Sequence, residues 1–160
     1  MFGLGKKKVE LYPVFEGRVV SFDDVPDQMF QERMLGDGYA VEPNEVETLD
    51  VLAPVGGIVS KTFKTGHAFA IQTPEGLDVL VHIGLGTVEL GGEPFEQLVP
   101  KGTTVEAGEP IVRVNAAAVR AAGKDLVTPV VFTKKKQVAK VDITEGDAVL
   151  SNVCCKVKLA

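Results

Sequence analysis

The chain's two histidines, His67 and His82, stand fifteen positions apart. They bracket the stretch HAFAIQTPEGLDVLVH, in which two short apolar runs flank Thr73-Pro74-Glu75-Gly76. Proline at the second place of four and glycine at the fourth make a good turn. The stretch therefore reads as a β-hairpin with an imidazole on each strand. If Thr73 pairs with Gly76, His67 falls directly opposite His82, with Cβ atoms roughly 4.5–5.5 Å apart. Phe69, Leu80, Ile71 and Asp78 then share the histidine face, and Ala68, Ala70, Val79 and Val81 line the core face. A three-residue loop with Gly76 as a left-handed bulge pairs Thr73 with Leu77 instead. That slip sends the histidines to opposite faces. The sequence leaves both registers open.

Two facing imidazoles suit two chemistries. Metal binding is one, and it still needs a third ligand. Phosphoryl handling is the other: neutral imidazole is a good nucleophile near pH 7, and a neighbouring donor stabilises phosphoryl charge. A lone strand histidine is more often a satisfied structural residue. Here both histidines fall in one hairpin, near Gly66 and Gly84, and no Gly-x-Ser-x-Gly elbow, P-loop, CxxC or HExxH competes with them. The two cysteines, Cys154 and Cys155, are neighbours. A disulfide between them would be strained, so they read as free thiols of a reducing compartment, without metal-ligand spacing.

The elements that must position the histidines are short and rich in Val and Ile. They are 17–22, 56–63, 67–72, 77–84, 110–115, 128–133 and 148–159, separated by turn residues. This rhythm predicts an all-β sandwich or barrel. Helix is expected over 28–35, after the Pro26-Asp27 start signal, and over 116–122, with Gly123 as its stop. A further helical turn is expected within PFEQLVPKG (94–102). No linker divides the chain. A loose segment is expected over residues 1–10, followed by one domain over 11–160.

With 160 residues, 45% hydrophobic and 24% charged, the chain is long enough to bury a real core. Its formal charge of −5 argues against a nucleic-acid partner. Its basic runs, 6–8 and 134–136, are short enough to be solvated edges. No apolar run reaches the length of a membrane span, and no signal-peptide core follows the first methionine.

The residues Gly76-x-x-Val79-Leu80-Val81-His82-Ile83-Gly84-Leu85-x-Thr87-Val88 resemble the phosphorylation-site signature of the glucose-type IIA proteins of the bacterial sugar phosphotransferase system. Asp24-Val25-Pro26-Asp27, Gly36-Asp37-Gly38, Ala53-Pro54-Val55-x-Gly57, Phe63-x-Thr65-x-His67-Ala68 and Thr128-Pro129-Val130-Val131 follow that family's order and approximate spacing. The resemblance implies a single-domain antiparallel β-sandwich with a few short helices. It implies a cytoplasmic, monomeric phosphocarrier of sugar uptake. His82 would accept the phosphoryl group through Nε2, with Nδ1–H held by the carbonyl of Gly84. His67, oriented by Thr65, would stabilise charge beside it. The donor would be the phosphorylated carrier HPr, and the recipient a cysteine on the IIB domain of a sugar permease. Some relatives also regulate other transporters or enzymes. Met29, Phe30, Met34, Leu35, Phe63, Leu80 and Val88 would form an apolar collar for these partners, a surface such docking favours. No cofactor is required, and zinc would bind His67 and His82 only where a partner adds a carboxylate.

Three positions depart from the pattern. Gly86 stands where relatives usually place an acid, Leu80 replaces a frequent aromatic, and Gly66 precedes His67 where a polar residue is common. These bear on partner docking rather than on the reaction. Two other readings use the same features. A zinc hydrolase on a related β-scaffold would use the same histidines but lacks a further ligand. A lipoyl- or biotinyl-like carrier would need a lysine on an exposed hairpin, which is missing.

Overall fold

Strands this short bury too little alone, so the chain must stack several sheets to close a core. In the computed structural model, which describes residues 7–160, the described residues form fourteen strands. In chain order these are β1 Lys8–Leu11, β2 Gly17–Val20, β3 Asp37–Pro43, β4 Thr48–Leu52 and β5 Gly57–Thr62. The hairpin strands follow as β6 Ala68–Gln72 and β7 Asp78–His82. Then come β8 Phe95–Gln97, β9 Thr104–Val105, β10 Pro110–Asn115 and β11 Thr128–Phe132. The last three are β12 Val138–Ile143, β13 Gly146–Ala148 and β14 Cys155–Leu159.

Among these strands every pairing is antiparallel. The large sheet runs β13-β2-β3-β11-β7-β6-β5-β9, and two three-stranded sheets run β1-β14-β12 and β4-β10-β8. Phe69, Ile71, Val79, Val81, Val130 and Phe132 of the large sheet share one core with Leu11, Val157, Val51 and Val114 of the small ones. The fold is thus an antiparallel β-sandwich. Across the large sheet a second, smaller core gathers Val20, Phe22, Val25, Phe30, Ala40, Val127 and Val131, with Leu80 and Leu85 against it. The helix α1, Gln28–Gln31, contributes Phe30 to it. This second core lies under the histidine side of the hairpin.

The run 110–115 forms β10 as expected. Three other expectations change. PFEQLVPKG holds strand β8 rather than helix, because β10 takes Phe95–Gln97 as an edge partner. The run 148–159 is broken by a turn in which the Asn152 N–H donates to the Val149 carbonyl at 2.9 Å, separating β13 from β14. Helix α1 starts where expected, with the Asp27 side chain accepting from the Met29 N–H at 2.9 Å, but is only four residues long. Arg33 then turns left-handed, with φ 53°. The second helix, α2 Ala116–Ala121, is capped by the Asn115 side chain and followed by left-handed Gly123.

The loose segment expected over 1–10 falls partly on residues 1–6, which lie outside the described residues. Residues 8–10 belong to β1, where Val9 and Leu11 point inward opposite Val157 and Cys155. Both cysteines are free and buried, and burial pushes the Cys154 thiol up to about 12. Neither is an accessible nucleophile at neutral pH.

Candidate functional site: the histidine pair

The hairpin adopts the bulged register. The Gly76 N–H donates to the Thr73 carbonyl at 2.9 Å, the Thr73 N–H donates to the Leu77 carbonyl at 3.0 Å, and Gly76 is left-handed at φ 93°. Ala68 therefore faces His82, Ala70 faces Leu80, and Ile71 faces Val79. The faces expected from the two-residue turn change accordingly. Phe69 and Ile71, not Ala68 and Ala70, join Val79 and Val81 in the main core.

Strict alternation would now turn His67 away from His82, yet the two rings touch. Their centroids are 5.2 Å apart and the planes cross at 78°. The ladder does continue past the strand, since the Ile83 N–H donates to the His67 carbonyl at 2.7 Å. But His67 precedes the first residue of β6 and follows Gly66, which is left-handed at φ 74°. Gly66 also sits close against Phe95: a Cβ there would lie 2.9 Å from the Phe95 Cβ. The departure at Gly66 thus has a local cause, a tight left-handed approach that a side chain would obstruct.

Each imidazole is tied through Nδ1. For His82 the partner is the Gly84 carbonyl at 2.7 Å. A carbonyl only accepts, so Nδ1 carries the proton and the neutral ring keeps its lone pair on Nε2. For His67 the partner is the Thr65 hydroxyl. The Phe63 ring lies 5.3 Å from His67, and the Phe30 ring 5.8 Å from His82. Burial lowers the pKa of both histidines below the usual value. For His67 the neighbouring His82 adds to the lowering; for His82 the Gly84 hydrogen bond and the Asp27 carboxylate partly offset it. Both rings are consequently neutral at pH 7.

Of the residues expected to form a collar, Met29, Met34, Leu35 and Val88 are exposed, at 41%, 62%, 37% and 49%. Phe63 and Leu80 are half-buried. Phe30 differs from its expected place in the collar: it is only 3% exposed and packs in the second core, supporting His82 from beneath. Its periodic neighbours Met29 and Met34 gave no signal to distinguish it. At Gly86, also left-handed, the Glu89 carboxylate and the Lys124 ammonium come within 3.4 Å of where a Cβ would stand. These two side chains pair with each other at 3.2 Å. The contribution of Asp27 to the electrostatics of His82 was not legible in the sequence, where that residue read only as a helix cap.

Among the described residues no group of three or more His, Cys, Asp and Glu side chains is placed to hold a metal ion. The pair offers two nitrogen donors, half of a tetrahedral zinc set. A cavity of about 890 Å³ lies elsewhere, between Val9 of β1, Ile58 of β5 and the Thr73–Glu75 turn, at the far end of the hairpin from the histidines. No helix among the described residues is long and apolar enough to cross a membrane.

An antiparallel β-sandwich that pairs two neutral imidazoles, one with its proton fixed on Nδ1 by the Gly84 carbonyl, has the architecture and chemistry to suit a nucleophilic histidine. Residues 9–138 match the family "phosphoenolpyruvate-dependent sugar phosphotransferase system, EIIA 1", and the chain belongs to that family. It is therefore a phosphotransferase component and a phosphocarrier in sugar uptake. It is 38% identical over 153 residues to the PTS system glucose-specific EIIA component of Staphylococcus aureus, covering 94% of this chain and 90% of that one. It is 34% identical over 152 residues to the corresponding component of Haemophilus influenzae, covering 93% and 90%. It is 43% identical to a stretch of the glucose-specific EIICBA component of Streptococcus pneumoniae, covering 94% of this chain and 20% of that longer one. The solved structure of glucose permease IIA from Mycoplasma capricolum superposes with a TM-score of 0.86 at 34% identity, covering 98% and 99% of the two chains. The hydrolase and lipoyl-like readings find no support here.

Proposed function

We propose that His82 is the residue that carries the phosphoryl group, with HPr as donor, a IIB-domain cysteine as recipient and a glucose-type sugar as the eventual substrate. The observation that carries this reading is the 2.7 Å hydrogen bond from His82 Nδ1 to the Gly84 carbonyl. It leaves the Nε2 lone pair as the nucleophile. In the loading step Nε2 attacks phosphorus, the N–P bond to the donor histidine breaks, and the N–P bond to His82 forms. The His82 ring is then cationic, with its proton still on Nδ1 and held by Gly84. In the unloading step a cysteine thiolate attacks the same phosphorus, an S–P bond forms, and the electron pair of the broken N–P bond returns to Nε2.

His67 has the complementary tautomer in this reading. The Thr65 hydroxyl donates to Nδ1 of His67, which puts the His67 proton on Nε2, where it can donate to a phosphoryl oxygen. The transferring group is loose and spreads charge over its equatorial oxygens, so fixed donors count for more than bonding. Met29, Met34, Leu35 and Val88, with half-buried Phe63 and Leu80, form the docking collar. One domain, extended from the expected 11–160 to take in β1 from Lys8, acts as a cytoplasmic monomer without a cofactor. A zinc ion would be held by His67 and His82 only at an interface where a partner supplies a carboxylate. The S. pneumoniae relative, an EIICBA component in a single chain, supports a permease as partner.

The test is incubation with phosphoenolpyruvate, the system's first enzyme and HPr, followed by location of the label. Label on His82 is expected. Label on another residue overturns the assignment.

A further inference from the structure

The carbonyl that holds His82 belongs to a short loop whose peptide groups are themselves tied down. The peptide between Gly84 and Leu85 offers its carbonyl to His82 Nδ1 at 2.7 Å, and its N–H donates to the Asp125 carbonyl at 2.9 Å. The preceding peptide offers the Ile83 carbonyl, which accepts from the Thr87 hydroxyl. Thr87 is fully buried, at 0% exposure. Gly84 joins these two peptides at φ 76°. A Cβ on Gly84 would lie 2.7 Å from both the Asp125 oxygen and the Thr87 Cγ2. The two dihedrals of Gly84 alone decide where its carbonyl points. Both flanking peptides are pinned, one by Thr87 and the other by Asp125.

We infer that Thr87 is a positioning residue for phosphoryl transfer: its hydroxyl, acting through the Ile83 and Gly84 peptides, holds His82 in the tautomer that leaves Nε2 bare. This rests on His82 being the acceptor. The effect grows during transfer. Attack by Nε2 makes the ring cationic, so the Nδ1–H bond to Gly84 becomes charge-assisted and stronger than in the resting protein. A contact stronger in the transition state than in the ground state accelerates the step. Glycine has no side-chain packing with which to resist rotation, so the restraint must come from its neighbours. Of those, the Thr87 hydroxyl is the one contributed by a side chain.

The test compares Thr87→Val, which keeps the shape and removes the hydroxyl, with Thr87→Ser, which keeps the hydroxyl. Two quantities are read on each. One is the rate of His82 loading from phospho-HPr. The other is the pair of His82 imidazole nitrogen shifts by NMR in unphosphorylated protein above pH 7.5, which reports the tautomer without any phosphoryl donor. Thr87→Val should load about tenfold more slowly, the lower end of what losing an outer partner of a metal-ligating histidine costs, taken here as the analogue. Its nitrogen shifts should move from a single Nδ1–H form to a mixture. Thr87→Ser should restore both. A single Nδ1–H tautomer in Thr87→Val, or wild-type loading by it, overturns the inference; so does a serine variant that behaves like valine. If the valine chain does not fold, Thr87→Ser against Thr87→Ala makes the same comparison, since those two differ by the hydroxyl alone. Label found away from His82 in the wild type would defeat the functional reading, whereas an unmoved tautomer would defeat only the role of Thr87.

Discussion

Replacing His67 by glutamine isolates the second imidazole from the first. The His67 side chain is largely desolvated, being only 8% exposed, and its ring is fixed by Thr65 on one nitrogen and flanked by Phe63 at 5.3 Å. Under the proposed assignment it is a preorganised donor beside the reacting nitrogen, the situation in which losing one donor costs about 10²–10³ in rate, or about 2.7–4 kcal/mol. Glutamine can place one N–H near the same point. It has more rotamers to fix and cannot take up positive charge. Loading of His67→Gln should therefore persist but slow, because the His82 nucleophile is intact. Transfer onward to the IIB cysteine should suffer more. Stability is the control: the variant exchanges one half-polar side chain for another, so a loss within about 1 kcal/mol is expected, a Tm shift of about 2–4 °C for a chain of this size. The assay is radiolabel transfer scored separately for loading and unloading, with Tm measured on the same preparation. Full activity in both steps would refute the supporting role of His67.

His82→Gln should accept no phosphoryl group from HPr in the same assay; full loading would end the assignment. Acid should weaken the fold through the histidines, with a definite sign. Burial holds both folded-state pKa values below the ordinary value of about 6.5, so nothing is contributed above that pH, where both rings are neutral folded or unfolded. As pH falls below about 6.5 the unfolded chain takes up protons that the folded one refuses, and stability drops until the folded pKa values are passed. Urea midpoints between pH 7.5 and 5.5 should show this slope, and the double variant His67→Gln, His82→Gln should flatten it; an unchanged slope would contradict it. Phe30→Ala should cost about 3–5 kcal/mol in urea unfolding, since its ring is 3% exposed and fills the second core. A loss under 1 kcal/mol would mean that Phe30 belongs to the exposed collar after all. Calorimetry should find only weak zinc binding to the isolated chain, because two imidazoles leave half of the metal's coordination to water; tight stoichiometric binding would revive a metal-centred reading.

What the sequence made legible followed from strong local signals. Strand β10 stands out because the short apolar run of Ile111, Val112 and Val114 is bounded by Pro110 and Asn115, and Asn115 caps the next helix. Helix α1 was visible at its start, where Asp27 is both preceded by proline and able to cap. Its early end was not. The guanidinium of the left-handed Arg33 that follows it donates both to the Gln31 carbonyl at the helix end and to Asp23, each at 2.6 Å, and no residue pattern announces the contact with Asp23. Strand β8 shows the same limit. Phe95, Glu96 and Gln97 have no strong local preference, and pairing with Val112, Arg113 and Val114 decides their state. The strands β1, β3, β4 and β12 escape the apolar-run pattern because KVEL, DGYAVEP, TLDVL and VAKVDI carry charges or proline inside or at the ends of the run, and β9 is only two residues long.

The hairpin register was decided by what each option buries. The even register would have sent Ala68 and Ala70 inward. The bulged one sends Phe69 and Ile71, and full burial of a Phe or Ile is worth about 1.5–3 kcal/mol each, well beyond an alanine. Gly76 makes the bulge inexpensive, since its left-handed φ carries no Cβ penalty. Taken as a rule for whole strands, that choice should have parted the histidines. It did not, because a one-residue slip reverses only residues that obey the pleat. His67 lies one step before β6, after left-handed Gly66, where the backbone has already left the pleat while the Ile83 N–H still reaches the His67 carbonyl. The core thus takes its aromatic and aliphatic residues from the strands, and the imidazole pair is assembled at the hairpin's open end, from the last residue of β7 and the residue just before β6.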